Sequence, residues 1–473
     1  MAFGPMRSAS LLLLLTVLAW TRPAAAYSLL THEQLIDLAL KDSIVPLLLS
    51  HYPGLTPAQL DEARAYAYGG CVIQDLGYYP FGDASFSDLT HYVRSGDFVV
   101  GLFRNAKNAD ELAFAVGALS HYIGDSVGHP LATNRAVPIE FPKLQAKYGP
   151  IVNYAEGEQQ HVQTEFAFDI DEIAHHRVAP LRFLRHIGLQ VPTKQLALAY
   201  YQTYGLQEDF SSRRGRRFNV RNYRFAVRTF IPRIAYAVTL LHRRHEPPEP
   251  DTAECNEMVA EAAAVDQENN WKTYRSKAGV ESYLLAALLF VLPKIGPLKL
   301  VAVKGPTTAT AADYMHSLLL SITIFRHLLD RFTPTPLGDL RNGHAPPAPA
   351  AMMSILAATS PDVLLRSHDP EHPLPNRDLD TGYVVRPGGY RLTDSTYAAL
   401  LHRLVEQPAQ PIPPGIKKDV QNYYSDPNSP ISTKNDPQRW AQVQADLAIL
   451  AAMPTSNAPE PYPTYGDDAD GPQ

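Results

Sequence analysis

The 473-residue sequence is 45% hydrophobic with a formal net charge of −6. That is enough apolar content for a large core, and it leaves no overall basic footprint for a polyanion such as nucleic acid. The two cysteines, Cys71 and Cys255, exclude a disulfide framework and leave a single bridge open.

The chain begins like an exported precursor. Arg7 supplies a positive start, and Leu11 to Trp20 is an apolar run too short for a comfortable membrane span. Ala24-Ala25-Ala26 gives a small-residue cleavage pattern. Removal of residues 1–26 would leave Tyr27 as the mature N-terminus and send the chain outside the cell or into a periplasm.

From Tyr27 to about His245 the sequence reads as helix after helix. Thr31, with Gln34 three residues on, is expected to cap a helix running to Leu49. Thr56 is expected to cap another to Tyr68, ended by Gly69-Gly70. Cys71 to Asp83 then forms a Gly/Tyr-rich loop. Phe86 to Asn105 is expected to be one helix. Ala109 to His129 is a strongly apolar helix stopped near Pro130. Further helices are expected over Val152–Ile187, Leu196–Gly205 and Phe218–His245. Period-2 alternation is scarce, so the expected class is all-α.

Glu246-Pro247-Pro248-Glu249-Pro250 marks an expected boundary between a first unit (27–246) and a helical extension (247–345). Ser282 to Val303 is apolar but is broken at Pro293-Lys294-Ile295-Gly296-Pro297. It reads as a buried helix pair, with a membrane-facing hairpin as the sharper alternative. Residues 312–331 form one more expected helix. Residues 346–473 are Pro-rich, and their end, from Thr455, is expected to be disordered.

The chemistry concentrates in the first unit. His121, Asp125 and His129 are four apart and share one helix face. An Asp inside an apolar helix is costly unless paired or bound to a cation. His161 and Glu165 repeat the i, i+4 spacing. Upstream stand His32, Asp75 in the Gly/Tyr loop, and His91. Imidazoles and carboxylates in this mixture suit a divalent metal, zinc above all. A free amino group at Tyr27 could chelate with its own carbonyl. His51, His186 and His242 read as ordinary polar residues, and His175 and His176 are left out of the set.

The order Tyr27-x4-His32, Asp75, His91, His121-x3-Asp125, His129 and His161-x3-Glu165 resembles the zinc-dependent phospholipase C family, over roughly Tyr27 to Arg185. Related sites occur in single-strand nucleases. The three residues between Asp125 and His129, and the four between Tyr27 and His32, are similar to its glycosylphosphatidylinositol-specific phospholipase D branch. Tyr27 stands where the secreted bacillus-type enzymes have tryptophan. The resemblance implies a compact multi-helix catalytic domain holding three zinc ions. One would be held by Tyr27 and His32, and a second by His91 and His121 with Asp75 close by; Asp125 would bridge the two. The third would be held by His129, His161 and Glu165. Asp75 and Asp125 would be the catalytic carboxylates, acting with water made acidic by the metal.

The same chemistry cleaves phospholipids or polynucleotides. The motif favours a phospholipid or related phosphodiester, with possible contact at a membrane surface; no protein partner can be inferred. The arginines at 213, 214, 216, 217, 221, 224 and 228 keep a nuclease as the alternative, meeting phosphates. The aromatic run Gly77 to Phe81 could stack bases, dip into lipid or pack as a corner. A third alternative is a zinc-loaded binding protein without turnover.

Overall fold

The computed structural model describes residues 28–79, 82–211, 218–242, 249–275, 280–291, 303, 305–332 and 372–456. Among them the fold is all-α: no strand occurs, and β pairing is limited to two isolated bridges, Arg377 with Val384 and Ile412 with Thr455. Residues 1–27, both expected unit boundaries and the tail beyond Ser456 lie outside the described set.

Helix α1 (Leu29–Ala39) passes through a π-turn (Leu40–Ile44) into α2 (Val45–His51). Its N-cap is Ser28, so the expected Thr31 cap is corrected. Thr31 lies inside the helix, and its hydroxyl bonds the Asp169 carboxylate at 3.0 Å instead. Helix α3 (Pro57–Gly70) opens on the expected Thr56, whose side chain forms a complete capping box with Gln59. Gly69 and Gly70 are not terminators but its last residues. Gly69 lies against the Gln190 carbonyl, and Gly70 belongs there because α3 crosses α6 (Ala109–Gly128) backbone to backbone. A Cβ on Gly70 would collide with the Phe114 carbonyl, and one on Gly117 with that of Ala67.

A short 3-10 turn (Ile73–Gly77) replaces the expected loop around Asp75. The expected helix over Phe86–Asn105 is two, α4 (Ala84–Tyr92) and α5 (Ser95–Asn105). The break falls at Arg94, which takes a left-handed φ of 49°. The chain also does not stop at Pro130. A π-turn (His129–Thr133) carries it into α7 (Asn134–Glu140), followed by α8 (Pro142–Tyr148). The expected long helix to Ile187 is α9 (Tyr154–Ala174) and, after a loop, α10 (Leu181–Ile187). Then come α11 (Thr193–Tyr204), α12 (Val220–Phe225), a π-turn (Ala226–Phe230) and α13 (Ile231–His242).

Beyond these lie α14 (Ala253–Glu268), α15 (Trp271–Tyr274), α16 (Val280–Val291) and α17 (Thr308–Phe332). The Pro-rich region also carries three helices the sequence did not suggest: α18 (Arg391–Val405), α19 (Pro414–Tyr423) and α20 (Pro437–Ala452). Proline starts α19 and α20 rather than breaking them, because its fixed φ and missing N–H suit the first helical turn.

One hydrophobic cluster runs from Leu29 through Phe114 and Tyr314 to Leu374, Leu401 and Met453. A second joins the outer side of α9 (Ala167, Ile170) to Ile234 and Val238 of α13 and Ala286 and Leu289 of α16. Helix α16 buries those two residues and exposes Tyr283 and Leu284. No helix among the described residues is long and apolar enough to cross a membrane. Cys71 and Cys255 are both buried and free, so the bridge that export would permit is not formed.

Candidate metal centre

Helices α1, α4, α6 and α9 deliver the polar side chains to the interior. Helix α6 brings His121 and Asp125, α1 brings His32, α4 brings His91, and the 3-10 turn brings Asp75. His129 stands on the π-turn after α6 and meets His161 and Glu165 of α9. All eight are buried, and His32, Asp75, His121, Asp125 and His161 are wholly so.

They form three groups: His32, His121 and Asp125; Asp75, His91 and His121; and His129, His161 and Glu165. In each, the candidate donor atoms lie within 4.8 Å of one another. Asp125 faces both ways in the first two. Its Oδ1 is 3.3 Å from His32 Nε2, and its Oδ2 is 3.0 Å from His121 Nε2 and 3.4 Å from His91 Nε2. Asp75 Oδ1 lies 3.4 Å from His91 Nε2. Glu165 Oε1 is 2.8 Å from His161 Nε2 and 3.2 Å from His129 Nε2.

These are not hydrogen-bonded pairs. Neither oxygen of Asp75, Asp125 or Glu165 has a hydrogen-bond partner, nor has Nε2 of His129 or His161. A buried carboxylate left in that state costs several kcal/mol. Three such carboxylates facing imidazole nitrogens across about 3 Å are the donor arrangement a divalent cation completes, so the residues fit zinc.

The imidazoles are already oriented for it. His91 Nδ1 lies 2.7 Å from the Ser87 carbonyl, His121 Nδ1 3.0 Å from that of Cys71, and His129 Nδ1 2.8 Å from that of Leu379. A carbonyl can only accept, so each Nδ1 carries the proton and each Nε2 offers a lone pair to the interior. The close α3–α6 crossing is what sets the Cys71 carbonyl under His121.

The electrostatics without a cation are in conflict. Burial, with His121 alongside, lowers the pKa of His32. Burial also lowers His129, and with His129 alongside it takes His161 well below the ordinary value. Burial and then Asp125 push Glu165 well up. Burial opposes charge on Asp125 too, but His121, His32 and His91 outweigh it and hold this carboxyl well below the ordinary range. Burial opposes protonation of His91, yet contact with Asp125 and Asp75 outweighs it and raises the imidazole to about 10. A bound dication removes the conflict by keeping carboxylates ionised and imidazoles neutral.

The eight candidate residues within the described set come together in these groups; Tyr27 lies outside the described residues. The first turn of α1 is held by Asp169, which accepts from Leu30 N at 2.9 Å and Thr31 N at 3.1 Å. Sequence reasoning missed Asp169, although it continues the series His161, Glu165 by another four residues on α9. His175, set aside in the sequence, pairs with Asp171 at 3.4 Å away from the centre. Tyr78 and Tyr79 are buried corner residues, Tyr78 donating to Asp88 at 2.9 Å, and neither presents a face to a base. Of the arginine cluster, Arg224 bonds Gln190 and Arg228 the Arg185 carbonyl; positions 213 to 217 lie outside the described residues.

Fold and site together are compatible with a metal-dependent phosphodiesterase domain. Residues 31–208 match the family model described as zinc dependent phospholipase C, and this segment belongs to that family. No curated protein and no solved structure matched the chain.

Proposed function

We propose that the protein is an exported, three-zinc phosphodiester hydrolase that cleaves phospholipid headgroup bonds in the manner of a phospholipase C. The supporting observation is the set of three buried donor groups, inside the family-matched segment, in which neither oxygen of Asp75, Asp125 or Glu165 has a hydrogen-bond partner. His32, His121 and Asp125, with the amine and carbonyl of Tyr27 after cleavage at Ala26, would hold one ion. Asp75, His91 and His121 would hold a second, with Asp125 shared, and His129, His161 and Glu165 a third. The bound metal supplies Lewis-acid stabilisation of phosphate charge and makes water acidic.

The protein's own groups do the rest. The Nδ1 contacts fix the tautomers of His91, His121 and His129. Asp75 Oδ2 has no hydrogen-bond partner and would orient a water and take its proton. Burial of the whole set lowers the local dielectric, which strengthens each charge interaction with the phosphate. Tyr283 and Leu284 on α16 expose apolar surface suited to a lipid interface.

A paired assay tests the reading: phosphatidylcholine vesicles and single-stranded DNA, each with and without chelator. Chelator-sensitive phosphocholine release is expected. Nucleotide release instead would make the protein a nuclease, and no product from either would make it a zinc-binding scaffold. Retention of even one residue before Tyr27 should abolish turnover; undiminished activity of the uncleaved chain would remove the N-terminal ligand from the scheme.

A further inference from the structure

His91 and His121 find the carbonyls that orient them within the family-matched segment. His129 does not. The Asp125 carbonyl four residues back takes the His129 backbone N–H, while the ring Nδ1 turns to an acceptor outside that segment. The acceptor comes from 250 residues away, the Leu379 carbonyl at 2.8 Å. The Leu379 N–H in turn donates to the His91 carbonyl at 3.1 Å, so one peptide-bonded residue bridges two of the three donor groups.

The segment around Leu379 is pinned on every side. Tyr122, next to His121, donates to the Pro375 carbonyl at 2.7 Å. Asn134 Nδ2 donates to the Asp380 carbonyl at 2.7 Å. The Asp380 carboxylate accepts from the Tyr154 N–H at 3.2 Å and from the Tyr390 hydroxyl. Asp378 closes the turn by accepting from the N–H groups of Asp380 and Thr381. Gly382, at φ +73°, lies so close to α6 that a Cβ would sit 2.6 Å from the carbonyl of Ser126, the residue after Asp125.

We propose that residues 372–390 form a strap that is a working part of the metal centre, with Leu379 as the positioning residue that makes His129 a metal ligand. The strap lies wholly outside residues 31–208, so the family-matched segment alone is an incomplete site. By fixing the His129 proton on Nδ1, the Leu379 carbonyl leaves Nε2 aimed at the point shared with His161 and Glu165. The strap reaches the other two groups only indirectly, through the His91 carbonyl and through Tyr122 and Ser126 beside His121 and Asp125. Loosening the strap therefore weakens one metal selectively.

The inference rests on the zinc reading above, and its test separates the two. Gly382→Ala would lift the strap from α6, and Asp380→Ala would remove its clamp on Tyr154 and Tyr390. Zinc per chain and the rate of zinc transfer to a colorimetric chelator are measured on the full-length mature protein, with helix content checked by circular dichroism on the same samples. Each variant should bind one of its three zinc ions about 10–100-fold more weakly, the usual effect of losing a group that orients a ligand. Tyr383→Ala, an exposed side chain on the same strap, should behave as wild type. His129→Ala should lose the same ion, and combining it with Gly382→Ala should cost no further zinc, because both act on one site. Zinc retention equal to wild type in both strap variants, or a further loss in the double variant, overturns the proposal. A wild-type protein with no zinc would overturn the zinc reading itself.

Discussion

Replacing Asp125 with Asn should empty two of the three donor groups at once. Its carboxylate is wholly buried and reaches His32 through one oxygen and His91 and His121 through the other. An amide keeps the shape but offers one neutral oxygen, so neither ion keeps the charge that held it. At free zinc about 100 times its dissociation constant, each occupied site stabilises the fold by about 2.7 kcal/mol. Losing two removes about 5 kcal/mol. Unfolding entropy of about 2.1 cal/mol/K per residue gives this chain a total of order 1 kcal/mol/K, so the melting temperature should fall by about 5 °C. Zinc content by atomic emission should drop from three to one per chain. The two proteins should melt closer together once zinc is stripped by chelator, since most of the difference is metal. Three zinc ions retained, or a melting difference of unchanged size after chelation, would refute the bridging role and make Asp125 a purely structural carboxylate.

Glu165→Gln should show the complement, losing one zinc and keeping two, because Glu165 faces His129 and His161; loss of all three would mean the groups are not separate. Asp169→Ala should orphan the Leu30 N–H, costing about 1–3 kcal/mol in urea unfolding. It should also speed proteolysis near residue 30, and unchanged cleavage there would show that Asp169 does not hold the first turn. Arg177 binds Glu172 at 2.7 Å and Asp171 at 2.8 Å under nearly full burial. Arg177→Ala should therefore cost about 3–5 kcal/mol by leaving Glu172 buried without its cation, read from the denaturant midpoint with zinc content unchanged.

Much of the centre was legible because helical periodicity is local. The spacings His121-x3-Asp125 and His161-x3-Glu165 put donor pairs on single faces whatever the rest of the chain does. The all-helical class followed from the same periodicity, and the Thr56 capping box from a four-residue pattern. Local rules failed where packing overrode them. Arg94 splits an expected helix, Pro130 is absorbed by a π-turn, and prolines 414 and 437 begin helices in a region that composition alone marks as irregular.

The sequence by itself determined which residues could bind a cation: side-chain chemistry and i, i+4 spacing are written in the order of residues. Only the tertiary structure decided how they are shared. It turned Asp125 toward two groups, sent His129 to a third with α9, and brought the Leu379 carbonyl across to orient it. A backbone carbonyl is the same at every position and leaves no mark in the sequence, so its role arises only when folding sets it beside a particular imidazole.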